Sequence, residues 1–155
     1  MSARPKSFQA KPLEKPSLTL KRRLNAPPSK VFAAWTDPEK LAQWFGPADT
    51  VAGSASAELD VKVGGRFRVR FSTANGEQHE VGGAYREVTP DQRLVFTWAW
   101  RSTPERESLV SVALRPDGAA TLLTLTHEQF FDQAARDGHE RGWTGTLDKL
   151  ERYFG

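Results

Sequence analysis

Cysteine is missing from this chain of 155 residues. Its absence excludes disulfide bonds, thiolate metal sites and cysteine nucleophiles, and a reducing cytoplasm is the natural location for such a chain. Also missing is any run of 18 apolar residues, so no membrane-spanning helix is predicted. The first residues lack the apolar segment of a secretory signal, which agrees with a cytoplasmic location.

An excess of charge of one sign is missing from most of the chain. The net charge of +3 resides in residues 1–17, and the remaining residues carry 18 basic and 18 acidic side chains. Three prolines and few large apolar groups predict a disordered basic tail over residues 1–16. A single domain is predicted over residues 17–155. Because this domain is formally neutral, no nucleic-acid partner is expected.

Motifs of several enzyme classes are absent as well. The sequence has no GxSxG nucleophile turn, no Walker loop and no GxGxxG motif. Its three histidines form neither an HExxH motif nor a close pair, so neither a metal nor a cofactor is predicted. We expect His79, beside a hairpin tip, to face solvent and His127, at a strand end, to be structural. His139 could offer a polar contact to a ligand.

Charged residues on the predicted strands offer few candidates for chemistry. A buried carboxylate with a raised pKa could act as a general base, and the candidates are Glu58, Asp60 and Glu87. No second titratable residue lies at a spacing that indicates a catalytic pair with one of them, so the simpler interpretation is that these carboxylates face outward or form ion pairs. A basic stripe formed by Arg66, Arg68 and Arg70 is likewise interpreted as a solvated strand face.

What the sequence does contain is a regular order of elements. A first strand is predicted over residues 18–24, then two short helices, the second capped by Thr36 or Asp37 and begun by Pro38. Six strands follow at about residues 50–63, 66–71, 81–88, 94–100, 109–114 and 121–127. Asn75-Gly76 indicates a hairpin, and residues 116–118 indicate a turn. Short turns between the strands favour sequential antiparallel pairing.

A long amphipathic helix closes the sequence. Trp143, Leu147, Leu150 and Phe154 lie at offsets 0, 4, 7 and 11, which is the period of one helix face. The helix is predicted to begin after Asp132, with Gly138 as a potential break. The predicted fold is therefore α+β, with a curved antiparallel sheet of six to seven strands around this helix.

Several segments resemble the SRPBCC (START-like, helix-grip) superfamily, in the branch related to the C-terminal domain of the activator of heat-shock protein 90 ATPase. They are VFAAWTDPE (31–39), WFGP (44–47), DVKVGGRF (60–67), GAYREV (83–88), RLVFTW (93–98), GH (138–139), GW (142–143) and LDKLERY (147–153). The ordered set is specific for the family and not for one activity. It implies a helix-grip fold with a cavity between the sheet and the C-terminal helix that commonly holds hydrophobic ligands.

Aromatic side chains are the candidate lining of that cavity, although ordinary core packing explains any single one of them as well. The predicted cavity residues are Trp143, His139, Leu147, Trp98, Phe96, Phe67, Val69, Phe71, Tyr85, Trp35 and Trp44. Trp143 is the strongest candidate because its helix face is directed at the interior of the sheet. His139 and Tyr85 are the polar groups that would orient a ligand.

Three functions remain open on the sequence alone. The first is non-enzymatic binding of a small hydrophobic molecule, and a stress-related role would be compatible with such binding. The second is interaction with a chaperone, which the family branch implies, although residues 1–17 cannot form the separate N-terminal domain of the larger co-chaperone. The third is a cyclase- or hydrolase-type enzyme that uses the same cavity. The sequence is compatible with a monomer or a homodimer.

Overall fold

The computed structural model describes residues 15–155, so most of the predicted disordered tail lies outside the described residues. The order of elements is the predicted one: a strand, two short helices, six strands and a long helix. The elements are β1 (Leu18–Leu24), α1 (Pro28–Thr36), α2 (Pro38–Trp44), β2 (Ser56–Leu59), β3 (Arg66–Ser72), β4 (Gln78–Thr89), β5 (Arg93–Trp100), β6 (Ser108–Asp117), β7 (Ala120–Glu128) and α3 (Gln133–Phe154).

The seven strands form one curved antiparallel sheet in the order β1-β7-β6-β5-β4-β3-β2. Strands β2 to β7 pair with their neighbours in sequence, as predicted from the short turns. Strand β1 instead pairs with β7, and Leu18 lies opposite His127. A register shift between Tyr85 and Glu87 in β4 marks a bulge, a feature that increases local strand bending. The α+β prediction of a curved sheet around a helix is confirmed.

Local chemistry explains where the helices begin. The Asp37 side chain accepts hydrogen bonds from the backbone N–H groups of Glu39 and Lys40, which caps α2. The Asp132 side chain accepts from the N–H of Ala135 and caps α3 in the same way. Helix α3 is continuous over 22 residues, so Gly138 does not break it. An isolated glycine costs a helix about 1 kcal/mol, which the packing of α3 on the sheet can offset.

Three strands differ from the sequence prediction by three residues or more, and one of them is β4, which begins at Gln78 and not at residue 81. Strand β2 covers only Ser56–Leu59, much less than residues 50–63. Strand β6 extends through Pro116 and Asp117, which were predicted to form a turn, and Asp117 pairs with Ala120. The turn is confined to Gly118 and Ala119 because Gly118, at φ 62°, supplies the left-handed conformation that a tight connection requires.

Helix α3 lies in the concave face of the sheet and buries Trp143, Leu147 and Leu150. At its far end the Arg22 guanidinium donates to Asp148 at 2.7 Å and Glu151 at 2.8 Å, which ties β1 to the helix. The alternation of β3 is as predicted, with Phe67, Val69 and Phe71 all buried. Within residues 15–155, none of the helices has both the length and the apolarity that a transmembrane segment needs.

Candidate functional site

An open cavity of about 840 Å³ lies between the sheet, α3 and residues 45–49. Its large apolar lining side chains are all aromatic: Phe45, Phe71, Trp98, Trp100 and Trp143. Polar lining comes from the β3–β4 hairpin, from the segment after α2 and from α3. A concave, mostly apolar space of this size with a few polar groups is typical of small-molecule sites.

The cavity exists because α3 carries small side chains on the face that it turns towards this part of the sheet. Ala134, Gly138 and Gly142 recur at a spacing of four residues and line the cavity together with Ala135. Around a Cβ atom built on Gly142 there is no other atom within 4 Å. One turn further along, Gly145 is closed in, since a Cβ atom there would lie 2.7 Å from the backbone N of Ala48.

Two tryptophans on the cavity walls are fixed by histidines. The indole N–H of Trp100 donates to Nε2 of His139 at 2.9 Å, while His139 Nδ1 lies 2.7 Å from the carbonyl O of Ala135. Because a carbonyl oxygen can only accept, Nδ1 of His139 carries the proton and Nε2 is the acceptor. His139 is therefore a neutral imidazole with both ring nitrogens hydrogen-bonded.

A second indole–imidazole pair lies deeper in the protein. Trp143 donates its indole N–H to Nδ1 of His127 at 2.9 Å, and Nε2 of His127 lies 2.7 Å from the Ser108 hydroxyl. The Ser108 hydroxyl in turn donates to the carbonyl O of Trp98 at 3.3 Å. With Nδ1 accepting, the proton of His127 resides on Nε2, so this ring is neutral as well.

Burial keeps both imidazoles neutral. It lowers the pKa of His127 well below its usual value, and the neighbouring His139 adds to this effect. Burial also lowers the pKa of His139, although the hydrogen bond to Ala135 O acts in the opposite direction and raises it. The two rings lie 5.1 Å apart, so two positive charges there would also repel each other. Each bond from an indole thus depends on a lone pair that protonation would remove.

His79 lies on the opposite wall, in contrast to the prediction that it faces solvent. Its ring stacks on Phe71 with centroids 5.1 Å apart, and its Nε2 lies 3.0 Å from the Thr73 hydroxyl. Thr73 also donates to the Asn75 side chain at 2.7 Å. His79 lies directly opposite Phe71 in the pairing of β3 with β4, so both side chains lie on the same face of the sheet, and this places the histidine beside an apolar ring at the cavity.

Three charged side chains line the cavity: Asp49, Glu77 and Arg141. All three are exposed and so lie at the solvent side. Lys149 lies behind the same wall, where its ammonium group donates to the carbonyl O atoms of Phe45 and Pro47 at 3.2 and 3.4 Å. Burial lowers the pKa of Lys149, and the negative charge of Asp49 raises it in part.

The predicted cavity residues separate into three groups. Trp143, His139, Trp98 and Phe71 line the open cavity. Trp35, Phe67, Val69, Tyr85 and Phe96 surround a second void of only about 20 Å³, which Trp98 also touches. Leu147 and Trp44 are buried and line neither space. A role in ligand binding stays a prediction for each of them.

The predicted cavity residues do not include several residues of the site, and the signals of these residues were partly visible. Trp100 continues the inward alternation of β5, and Phe45 directly follows the last turn of α2. His127 continues the alternation of Leu123 and Leu125, which places it inside the sheet. The four-residue spacing of small side chains on α3 was the signal for the open space itself.

The carboxylates considered as bases lie in surface ion pairs. Glu58 pairs with Arg68, and Glu87 accepts from Arg93 at 3.2 Å. The Asp60 carboxylate lies 3.7 Å from the Lys62 ammonium group. In the described part of the chain, no group of three histidine, cysteine or acidic side chains is arranged to hold a metal ion.

Comparison with known proteins identifies the family. Residues 25–155 match the family model described as Activator of Hsp90 ATPase homolog 1-like protein. No curated protein matches the chain. Among solved structures, the AHSA1 protein of Silicibacter pomeroyi is 30% identical, with 88% of this chain and 96% of that chain covered and a TM-score of 0.73.

Other solved structures agree. A protein of Chromobacterium violaceum is 26% identical over 90% of this chain and 97% of that chain, with a TM-score of 0.75. CalU16 from Micromonospora echinospora is 25% identical over 90% of this chain and 76% of that chain, with a TM-score of 0.64. The resemblance to the SRPBCC superfamily is confirmed, and the chain belongs to the family of Activator of Hsp90 ATPase homolog 1-like proteins.

Proposed function

We propose that this protein reversibly binds a small, largely apolar molecule in the cavity between its sheet and α3. The observation that carries the proposal is the open space of about 840 Å³ lined by five large aromatic side chains. Burial of apolar ligand surface contributes about 25 cal/mol per Å², so a ligand that covers these rings would gain substantial affinity.

Hydrogen bonding favours binding over catalysis. Both ring nitrogens of His127 and of His139 are engaged with protein groups, which leaves neither imidazole free to transfer a proton to a ligand. The carboxylates of Glu58 and Glu87 form ion pairs and do not line the cavity. A general acid or base must come within hydrogen-bonding reach of the reacting group, and the two carboxylates that do line the cavity, those of Asp49 and Glu77, are exposed at its solvent side.

Gly142 offers a test that separates cavity volume from other effects. Leucine at this position would project into open space, whereas alanine adds only one carbon with no atom within 4 Å. Both substitutions remove a helical glycine, so both are expected to stabilise α3 by about 1 kcal/mol. Gly142→Ala is therefore the matched control for Gly142→Leu.

The measurement is native mass spectrometry of freshly purified protein, combined with titration by the neutral dye Nile red while tryptophan emission is recorded. We expect the wild type and Gly142→Ala to bind the dye and Gly142→Leu to bind at least tenfold more weakly. Equal binding by all three proteins, or no binding by the wild type, would contradict the proposal.

Interaction with a chaperone is a second candidate function, and the family match favours it. It predicts that the protein co-purifies with the cognate heat-shock protein 90 or changes its rate of ATP hydrolysis. A steady-state ATPase assay with increasing amounts of this protein tests the idea. An unchanged rate together with no detectable complex would remove it.

A further inference from the structure

The large apolar side chains of the cavity are unusual in kind. Among the described residues that line it, none is leucine or valine, although these two residue types fill much of the core elsewhere. Aromatic rings offer a ligand something that alkyl groups cannot, because each ring face carries partial negative charge. The aromatic lining therefore indicates which charge on a ligand the cavity would favour, in addition to indicating that the ligand is largely apolar.

The angles between the rings favour a compact group over a flat one. Trp98 and Trp100 are nearly perpendicular, at 86° with centroids 5.5 Å apart. Phe45 and Trp143 meet at 84°, and Phe71 meets Trp100 at 67°. A planar ligand stacks best between parallel rings. Rings at steep angles can instead approach a rounded group from several sides.

The polar edges of two of these rings are already occupied. Trp100 and Trp143 donate their indole N–H groups to His139 and His127, so these donors are not free for an acceptor on a ligand. Both imidazoles are neutral and add no positive charge. Among the tryptophans that line the cavity, Trp98 alone has a buried indole N–H without an acceptor in the described part of the chain. An anionic group would thus find this single neutral indole donor, while the π faces of the rings remain.

The charged residues at the mouth of the cavity also favour a positively charged ligand. Asp49, after α2, and Glu77, in the β3–β4 hairpin, bring two carboxylates to the lining, and Arg141 brings one guanidinium. The Lys149 ammonium group is directed at the backbone carbonyls of Phe45 and Pro47, behind the wall. Among the described residues of the lining, acidic groups therefore outnumber basic ones.

We propose that the ligand carries an organic ammonium group, held among the rings of Phe71, Trp98, Trp100 and Trp143 with Asp49 and Glu77 at the mouth. A cation over an aromatic face is attracted by the ring quadrupole, and tryptophan is the most effective partner. The proposal rests on the proposed function, because it specifies the chemistry of a ligand in the same cavity.

Three probes of nearly equal shape test the charge preference. Phenyltrimethylammonium, tert-butylbenzene and benzenesulfonate each carry a tetrahedral group on a benzene ring and have positive, zero and negative charge. Dissociation constants are measured from tryptophan emission, since three tryptophans line the cavity. We expect the cation to bind about tenfold more tightly than the neutral probe, and the anion most weakly.

Variants assign the preference to particular side chains. Trp100→Leu keeps an apolar side chain but removes a π face, so it should weaken binding of the cation severalfold more than binding of the neutral probe. Glu77→Gln should weaken cation binding two- to threefold, and Arg141→Gln should strengthen it by a similar factor. Glu105→Gln, an exposed acidic residue outside the lining, is the matched control and should change neither.

The outcomes separate this inference from the proposed function. If tert-butylbenzene or benzenesulfonate binds as tightly as the cation, and Gly142→Leu abolishes that binding, the cavity binds small molecules but the ammonium preference is overturned. If no probe binds the wild type, both proposals fail. A cation preference as large in Trp100→Leu as in the wild type would also overturn the inference, because the ring of Trp100 would then contribute nothing to it.

Discussion

The aromatic side chains beneath the sheet form two regions that differ in one respect. In the closed aromatic cluster, Trp35, Phe67, Tyr85 and Phe96 leave a void of only about 20 Å³. In the open cavity, Phe71, Trp98, Trp100 and Trp143 border about 840 Å³. Both regions draw on the same strands, so the strands do not cause the difference.

What differs is the element that faces each region. Side chains from α1 and α2, among them Trp35 and Leu41, fill the closed cluster. The open cavity faces Ala134, Gly138 and Gly142 of α3, whose side chains are too small to fill it. The size of the residues opposite an aromatic ring therefore decides whether the ring is enclosed in a packed core or borders an open cavity.

The largest expected effect compares two tryptophans that each donate one hydrogen bond. Trp44 is fully buried and bonds to Ala34 O, whereas Trp100 is half-buried and bonds to His139. Trp44→Ala should cost about 3–5 kcal/mol of unfolding free energy because it leaves a cavity in a packed core. Trp100→Ala should cost about 1–2 kcal/mol because it enlarges a space that is already open.

Urea denaturation of both variants measures these costs, with wild-type m-values as the check for two-state unfolding. Equal losses in the two variants would break the distinction between a filled and an open region. A larger loss for Trp100→Ala would reverse it.

The next comparison uses two glycines three residues apart on α3. Alanine at Gly145 would press against the backbone of Ala48, so we expect Gly145→Ala to lose about 1–3 kcal/mol through overpacking. Alanine at Gly142 meets no atom, and Gly142→Ala should gain about 0.5–1 kcal/mol from helix propensity. Thermal unfolding should show melting temperatures that move in opposite directions. A gain in both variants would mean that α3 can shift away from residues 45–49.

The smallest expected effect concerns His127 and His139, which accept the indole N–H groups of Trp143 and Trp100. Their pKa values are lowered in the folded protein, so acid protonates the unfolded chain first. Stability should therefore be fully present above about pH 6.5 and fall as the pH decreases towards their folded-state pKa values. One histidine can contribute at most about 1.4 kcal/mol per pH unit.

Denaturation between pH 7.5 and 5.5 measures this slope, in a range above the titration of ordinary carboxylates. His139→Gln and His127→Gln should each flatten it, and His127→Gln should flatten it over a wider range because its pKa is lowered further. An unchanged slope in both variants would show that these imidazoles do not control acid stability.

The fold was readable from the sequence because it depends on local periodicity. The alternation of Phe67, Val69 and Phe71, the Asp37 cap and the apolar face of α3 each indicate one element on their own. The division between cluster and cavity was not readable in the same way. Phe67 and Phe71 have the same period and the same burial, yet one borders the small void and the other the open space.

Polar details of the site were the hardest to foresee. His127 was assigned no role at the site, because pairing across the sheet and packing of α3 bring its partners from other parts of the chain. Trp143 lies 16 residues from His127, and Trp100 lies 39 residues from His139. No spacing rule connects residues at such separations, so these bonds become visible only in three dimensions.

The pairing of β1 with β7 has a consequence for how the protein is made. Leu18 leaves the ribosome more than one hundred residues before its partner His127. Synthesis at about 5–20 residues per second therefore leaves the first strand without its neighbour for roughly 5–20 s. During that interval the hairpins of β2 to β6 can form locally, but the sheet is incomplete and its concave face has no cover until α3 follows. Nascent chains should thus need protection until β7 emerges and β1 pairs with it.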